Sequence, residues 1–303
     1  MVRQDLAQPS LCFCTAAFGR DYIELAKLLA KDLHQFAPNR VFVVLTDRPQ
    51  AFQDYPNVRA IQHQCRGVLS YHERRFAIHY ALSIAPSVMY LDADVRICAP
   101  IPDNLDIYPG ITARSCGSWY KHMQERFDRP SLSPKCKQDK SIIKKMAKKM
   151  DISLDDPELK FINEFLFVVT AYKGREQEFL KRWGELAIYA DTLGMHKHPT
   201  WAMALAARKS EFPIHRSEMN GLDFFDDRIE TIKIRKGQSS PEAKAEYFQQ
   251  QNEIQERPKQ SLKRLSNPIV QKILLFYNQA RVRLIATLSP STLIDYPSTS
   301  SDG

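Results

Sequence analysis

From residue 11 onward, short runs of β-branched and aromatic residues alternate with longer stretches whose apolar positions recur at helical spacing. LCFCTAAF (11–18) and VFVVLTD (41–47) read as strands, because continuous apolar runs of this length suit strands covered on both faces. Between them, Asp21 reads as the cap of a helix carrying Ile23, Leu25, Ala26, Leu28, Leu29 and Leu33 at helical intervals. YHERRFAIHYALSIA (71–85) is a second helix, which Pro86 closes before the strand VMYLD (88–92). Strand, helix, strand, helix, strand within residues 11–92 is the pattern of a doubly wound α/β sheet, whose ligands sit at the carboxyl ends of the strands. Asp47, Asp92 and Asp94 all fall at such ends.

Between about 118 and 150 the character changes, with ten Lys or Arg against three acids in residues 121–149. SIIKKMAKKM (141–150) places Ile142, Ile143, Met146, Ala147 and Met150 on one helical face and Lys144, Lys145, Lys148 and Lys149 on the other. Such a basic amphipathic helix suits a solvated surface or contact with an anionic membrane or acceptor. Alternation resumes with a strand at FLFVVTAY (165–172), a helix at 175–193, and a helix at 199–209 opened by Pro199. ETIKIRKG (230–237) alternates like a last strand. NPIVQKILLFYNQARVRLIATL (267–288) reads as a helix, and residues 257–283 hold seven basic residues and no acid. The expected organisation is a domain over 1–240 with a basic insertion at 118–150, and a helical, basic extension over 241–303 whose last residues are disordered.

A chain of 303 residues with 44% hydrophobic content can bury one large core or two modest ones. No run approaches the ~18 apolar residues of a membrane-spanning helix, and MVRQDLAQPS lacks the features of a secretory start. The expectation is a cytoplasmic protein, with peripheral membrane contact as an addition to it. The six scattered cysteines read as reduced structural thiols. A net charge of +8 suits a polyanionic partner: a phosphate-bearing substrate, an anionic membrane or nucleic acid. The basic stretches lack the aromatic interleaving of nucleic-acid readers, which places nucleic acid last among them.

Two carboxylates at i and i+2 just past a buried strand can share the ligand edge only if the chain turns there. In that geometry they can hold a hard divalent cation and leave positions open for diphosphate oxygens. YLDADVRI resembles the D-x-D segment of the GT-A glycosyltransferases, nearest in type to glycogenin and the lipopolysaccharide galactosyltransferases, whose YLDxD strand follows a helix with an Arg seventeen residues before the first Asp. Arg75 stands at that spacing, and LTDRP (45–49) is similar to the FTDQP of the blood-group transferases. The resemblance spans about 10–240 and is sharp over 71–97.

The resemblance implies a GT-A fold, a Rossmann-like doubly wound mixed sheet, here with a C-terminal helical extension. It implies transfer of a sugar from a nucleotide diphosphate donor, a UDP-sugar first, to a glycan, lipid or protein acceptor. Thr15, Ala16 and Tyr22 would line the nucleoside pocket, Asp47 would hold the base or ribose edge, and Arg75 would reach the diphosphate or donor sugar. Asp92 would contact ribose and metal and Asp94 would be the principal ligand of Mn2+ or Mg2+.

The chain departs from that pattern twice. Where family members carry a late His as third metal ligand, the segment here is TIKIRKG, so two Asp and water would hold the cation while Lys233, Arg235 or Lys236 neutralises the diphosphate. Where many carry an acid near the acceptor, this chain has Thr200 and Trp201, and the alternative acids are Glu164 and Asp223. His196, His198 and His215 lack a metal-site spacing and read as loop or capping residues, and Trp201 reads as core or as a sugar platform. Two other function classes remain open: sugar-phosphate nucleotidyl transfer, though TAAFGRDY has one Gly where that class has a Gly-rich loop, and a non-catalytic module binding anionic lipid or nucleic acid.

Overall fold

The computed structural model describes residues 11–256 and 268–296. The first half runs β1 (Cys12–Ala17), α1 (Arg20–Phe36), β2 (Phe42–Thr46), β3 (Val58–Gln62), α2 (Arg74–Leu82) and β4 (Ser87–Leu91). Next come β5 (Arg96–Ile97), β6 (Gly110–Ala113), β7 (Cys116–Ser118), α3 (Trp119–Phe127), α4 (Pro134–Met150), β8 (Lys160–Ile162) and β9 (Leu166–Thr170). The chain continues through α5 (Arg175–Leu193), α6 (Thr200–Lys209), β10 (Ile214–Arg216), β11 (Phe224–Phe225), α7 (Asp227–Arg235), α8 (Ala245–Glu256), α9 (Pro268–Leu288) and α10 (Ser291–Ile294).

Seven strands make one mixed sheet in the order β10-β6-β9-β4-β1-β2-β3. β3, β2, β1 and β4 are mutually parallel, β9 enters antiparallel between β4 and β6, and β10 pairs parallel with β6. Side chains alternate between the faces, as a period of two requires. Cys12, Cys14, Val88 and Tyr90 join one core with α2, α5 and α6, whereas Phe13, Met89 and Leu91 join the other with α1. The sheet is therefore covered on both faces, the doubly wound α/β architecture that the alternation of strands and helices predicts. All six cysteines are free, and burial pushes the Cys12 thiol up to about 12.

The basic helix α4 buries Ile142, Ile143, Met146, Ala147 and Met150 and exposes Lys144, Lys145, Lys148 and Lys149, as its periodicity predicts. Asp21 lies in the first turn of α1 rather than at its cap, which is Gly19 with φ 78. The expected strand at 230–237 is instead the helix α7. Its caps explain the reversal: the Asp226 side chain accepts from Ile229 N, acids fill the first turn, bases fill the last, and Gly237 follows with φ 68. The alternation in TIKIRK is outweighed because only Glu230 of that segment is buried, so no sheet face demands a period of two. Among the described residues no helix is long and apolar enough to cross a membrane. The expected disordered tail falls, from residue 297 on, outside the described residues.

One buried ion pair fixes the chain just after β4. Arg96 Nε and Nη2 donate to Asp32 Oδ2 and Oδ1 at 2.6 and 2.8 Å, and Ile97 N donates to Oδ2 at 3.1 Å. Burial pushes the Asp32 carboxyl up despite these partners. A bidentate pair of this kind resists only while both members are present, because removal of one strands a buried charge. Asp32→Ala is expected to lower the urea-unfolding free energy by about 3–5 kcal/mol; a loss below about 1 kcal/mol, the range of an exposed pair, would show that the pair does not hold this segment.

Candidate active site

The backbone turns at once where β4 ends. Asp92 N donates to the Phe165 carbonyl and Val95 N to the Asp92 carbonyl, each at 3.0 Å. Gln251 Nε2 of α8 donates to the Asp94 carbonyl at 2.5 Å, and β11 pairs antiparallel with β5, Phe224 opposite Ile97 and Phe225 opposite Arg96. This turn brings both Asp92 and Asp94 to one cleft of about 460 Å³, walled by Ala16, Tyr22, Tyr71, Arg74 and Lys197. An adjoining hollow of about 250 Å³ shares Tyr71, Arg74, both Asp and Lys197, and adds Glu164, Asp226 and Arg228.

The cleft floor carries more negative charge than its near partners offset. Arg74 Nη2 lies 3.3 Å from Asp92 Oδ1, while its Nη1 donates to the Glu164 carbonyl at 2.7 Å and its guanidinium sits over the Tyr90 ring. Asp94 makes no ion pair among the described residues. Burial pushes both carboxyls up to about 6; for Asp92 the Arg74 charge opposes this while Glu164 and Asp226 add to it, and for Asp94 the Asp92 charge adds to it. The Asp226 carboxyl is pushed up by burial and by Asp94, although it accepts from Ile229 N at 2.8 Å.

Two carboxylates short of positive charge and open to a cleft fit a hard divalent cation that completes its shell with water and phosphate oxygens. Among the described residues there is no group of three or more His, Cys, Asp or Glu positioned for a metal, so a cage made wholly of protein side chains is not built here. His196 instead bonds Asp191 at 2.9 Å, His215 lies 3.1 Å from the Pro109 carbonyl, and His198 lines the smaller hollow.

The residues singled out from sequence divide sharply. Ala16, Tyr22, Asp92, Asp94 and Glu164 all line the cleft or its hollow. Thr15 is fully buried in the sheet, its hydroxyl without a hydrogen-bond partner among the described residues. Asp47 is exposed, and its Oδ1 accepts from Gly19 N at 3.2 Å, which ties the β1–α1 loop to the end of β2.

Arg75 is a correction: it is buried on the far side of α2, donating from Nη1 and Nη2 to the Ile294 and Leu293 carbonyls at 2.8 and 2.5 Å. Neighbouring helix positions lie about 100° apart, so Arg74 faces the cleft and Arg75 cannot. Asp223 is also corrected: it is exposed and paired with Lys244 Nζ at 2.5 Å, outside both hollows. Lys233, Arg235 and Lys236 ride on the last turn and cap of α7 rather than on a strand, with Lys233 bonded to Glu230 at 2.5 Å. Trp201 is core, ringed by Trp119, His122, Phe127 and Phe161.

Sequence reasoning missed Arg74, Asp226, Lys197 and Arg228. Asp226 had a readable signal in DFFDDRIE, an acid positioned to cap a helix. Lys197 had none, because a loop between two helices carries it there.

No family model matches the chain, and no curated protein matches it. Among solved structures, the galactosyltransferase LgtC in complex with donor and acceptor sugar analogues is 13% identical, covering 68% of this chain and 72% of that one, with a TM-score of 0.42.

Hydrogen bonds to a charged donor contribute about 1.5–3 kcal/mol each, so Arg75→Met is expected to free the segment after α9. Amide hydrogen exchange at residues 293–296 should quicken by more than tenfold. Unchanged protection there would contradict the anchoring role.

Proposed function

We propose that the protein is a nucleotide-sugar-dependent glycosyltransferase whose donor lies in the cleft at the end of β4. The observation that carries this reading is the pair Asp92 and Asp94, half-buried, short of countercharge and facing open space beside Arg74. Mn2+ or Mg2+ held by these two carboxylates would act as a Lewis acid toward the departing diphosphate. Arg74 and Lys197 stand on the same cleft and supply fixed positive charge for phosphate oxygens. Tyr22 and Ala16, on the β1 side, suit the nucleoside of a UDP-sugar.

In the transfer, the bond from the anomeric carbon to the diphosphate oxygen breaks and its electron pair leaves with the nucleotide. The acceptor hydroxyl oxygen forms the new bond to the anomeric carbon and passes its proton to a carboxylate of the adjoining hollow, Glu164. Besides Asp92 and Asp94, the acids lining the hollow next to the donor cleft are Glu164 and Asp226, and of these two Glu164 is the one whose carboxylate is not engaged in capping a helix. The acceptor, a glycan, lipid or protein, would enter through that hollow.

Thermal unfolding with UDP, other nucleoside diphosphates and their sugars, each with and without Mn2+, tests this directly. A ligand at a hundred times its Kd is expected to stabilise the fold by about 2.7 kcal/mol, and only when Mn2+ is present. Asp94→Ala should lose at least tenfold in donor hydrolysis or transfer under saturating metal. Stabilisation by no nucleotide, or full activity of that variant, would contradict the proposal.

A further inference from the structure

A second cavity lies away from the proposed donor site. It is a crevice of about 660 Å³ between α5 and the C-terminal helices, with Ile188, Ala286, Pro290 and Ile294 forming apolar walls and Lys149 and Arg283 at its rim. Glu185 also lines it, and Arg182, whose Nη1 lies 3.0 Å from that carboxylate, is shared with Glu178 at 2.6 Å, so one acid stands among the bases of the crevice. Lys149 comes from the last turn of α4, whose Lys144, Lys145 and Lys148 are exposed alongside it. Two basic segments far apart in sequence therefore meet at one crevice.

The helix α9 that borders this crevice carries apolar side chains on two opposite faces. Leu275, Val282, Ile285 and Ala286 pack inward against Val68, Ile188 and Leu293. The opposite face, at i, i+3, i+4, i+7, i+11 and i+15, carries Ile273, Phe276, Tyr277, Ala280, Leu284 and Leu288. Phe276 is 73% exposed, Leu284 60% and Leu288 74%, so a continuous apolar stripe several turns long faces outward. Lys272 and Arg283 flank it, and residues 257–294 contain no acid at all.

We propose that this composite surface seats the protein on an anionic bilayer: the α9 stripe enters the acyl boundary, and Lys149, Arg283 and the α4 lysines meet lipid phosphates, one headgroup lodging in the crevice. Apolar burial and charge attraction combine at such interfacial helices. Charge complementarity selects this occupant over a second copy of the chain, since pairing two such stripes would bring two basic rims together. The proposal does not depend on what the cleft catalyses.

Flotation of the full chain with vesicles of phosphatidylcholine plus phosphatidylglycerol, against phosphatidylcholine alone, tests it. Binding is expected to the anionic vesicles, to weaken as salt rises, and to fall at least tenfold for Phe276→Ser with Leu284→Ser and, separately, for Lys149→Glu with Arg283→Glu. All four positions are on the surface or a crevice rim, and thermal unfolding of both variants should match the native chain. Failure of the native chain to bind anionic vesicles at low salt would overturn the proposal. So would equal binding by both variants, or a stable dimer in solution that the stripe substitutions dissolve.

Discussion

Two carboxylates at the floor of a cleft, of which one is ion-paired to Arg74, are the constraint around which the rest of the molecule is arranged. Charge at the end of a buried strand is costly unless it is paired or put to use. Here the pairing is incomplete, and the chain spends several independent contacts on keeping the turn in place. Arg96 and Asp32 clamp the strand that follows to α1, Gln251 holds the Asp94 carbonyl from α8, and β11 folds back on β5 so that Asp226 joins the same edge. None of these contacts neutralises Asp94; they fix its backbone and leave its carboxylate facing the cleft. A geometry held so firmly around an unmet charge is what a cation and a diphosphate would require, because the site need not reorganise when they bind.

The cleft wall formed by Leu69, Ser70 and Tyr71 depends on a second buried network. Glu73 accepts from Arg66 N and Gly67 N at 3.1 and 2.8 Å and lies 2.6 Å from His63 Nε2. Burial would push its carboxyl up, but His63, Arg75 and those backbone donors together hold it below its usual range. Asp191 of α5 accepts from Val68 N, and Arg281 of α9 donates to the Cys65 and Gly67 carbonyls. Arg75 and Arg66 then grip the carbonyls of residues 292–295. The C-terminal helices are thus tied to the loop that walls the cleft, and adjacent arginines of α2 serve the two ends of that link.

The central fold was readable because its strands are continuous apolar runs between amphipathic helices, a pattern with one economical solution. VMYLDAD announced both its burial and its exposed end. Arg75 was misassigned because linear spacing does not give helix phase: a one-residue difference turns a side chain by about 100°, from the cleft to the opposite side of α2. TIKIRKG was misread because alternation was weighed above the capping pattern on either side of it. Lys197 and Asp226 reach the cleft through loops and a short antiparallel pair formed between segments more than a hundred residues apart, and no local pattern encodes that approach. The outward apolar stripe of α9 was hidden for the same reason, since which of its two apolar faces packs inward depends on its neighbours.

Unmet charge at Asp94 has a consequence in the absence of any ligand. Its carboxyl, at about 6 in the fold, titrates above its ordinary value, so ionisation at pH 7 weakens the folded state, and below the ordinary carboxyl range the group is neutral in both states. The most direct measurement is urea unfolding of native protein and Asp94→Asn in the presence of a chelator. After allowance for solvent screening at the cleft, the variant should be more stable by about 1–2 kcal/mol at pH 7, with the gain fading below about pH 4. A variant that is equally stable or less stable at pH 7 would contradict an uncompensated carboxylate at the floor of this site.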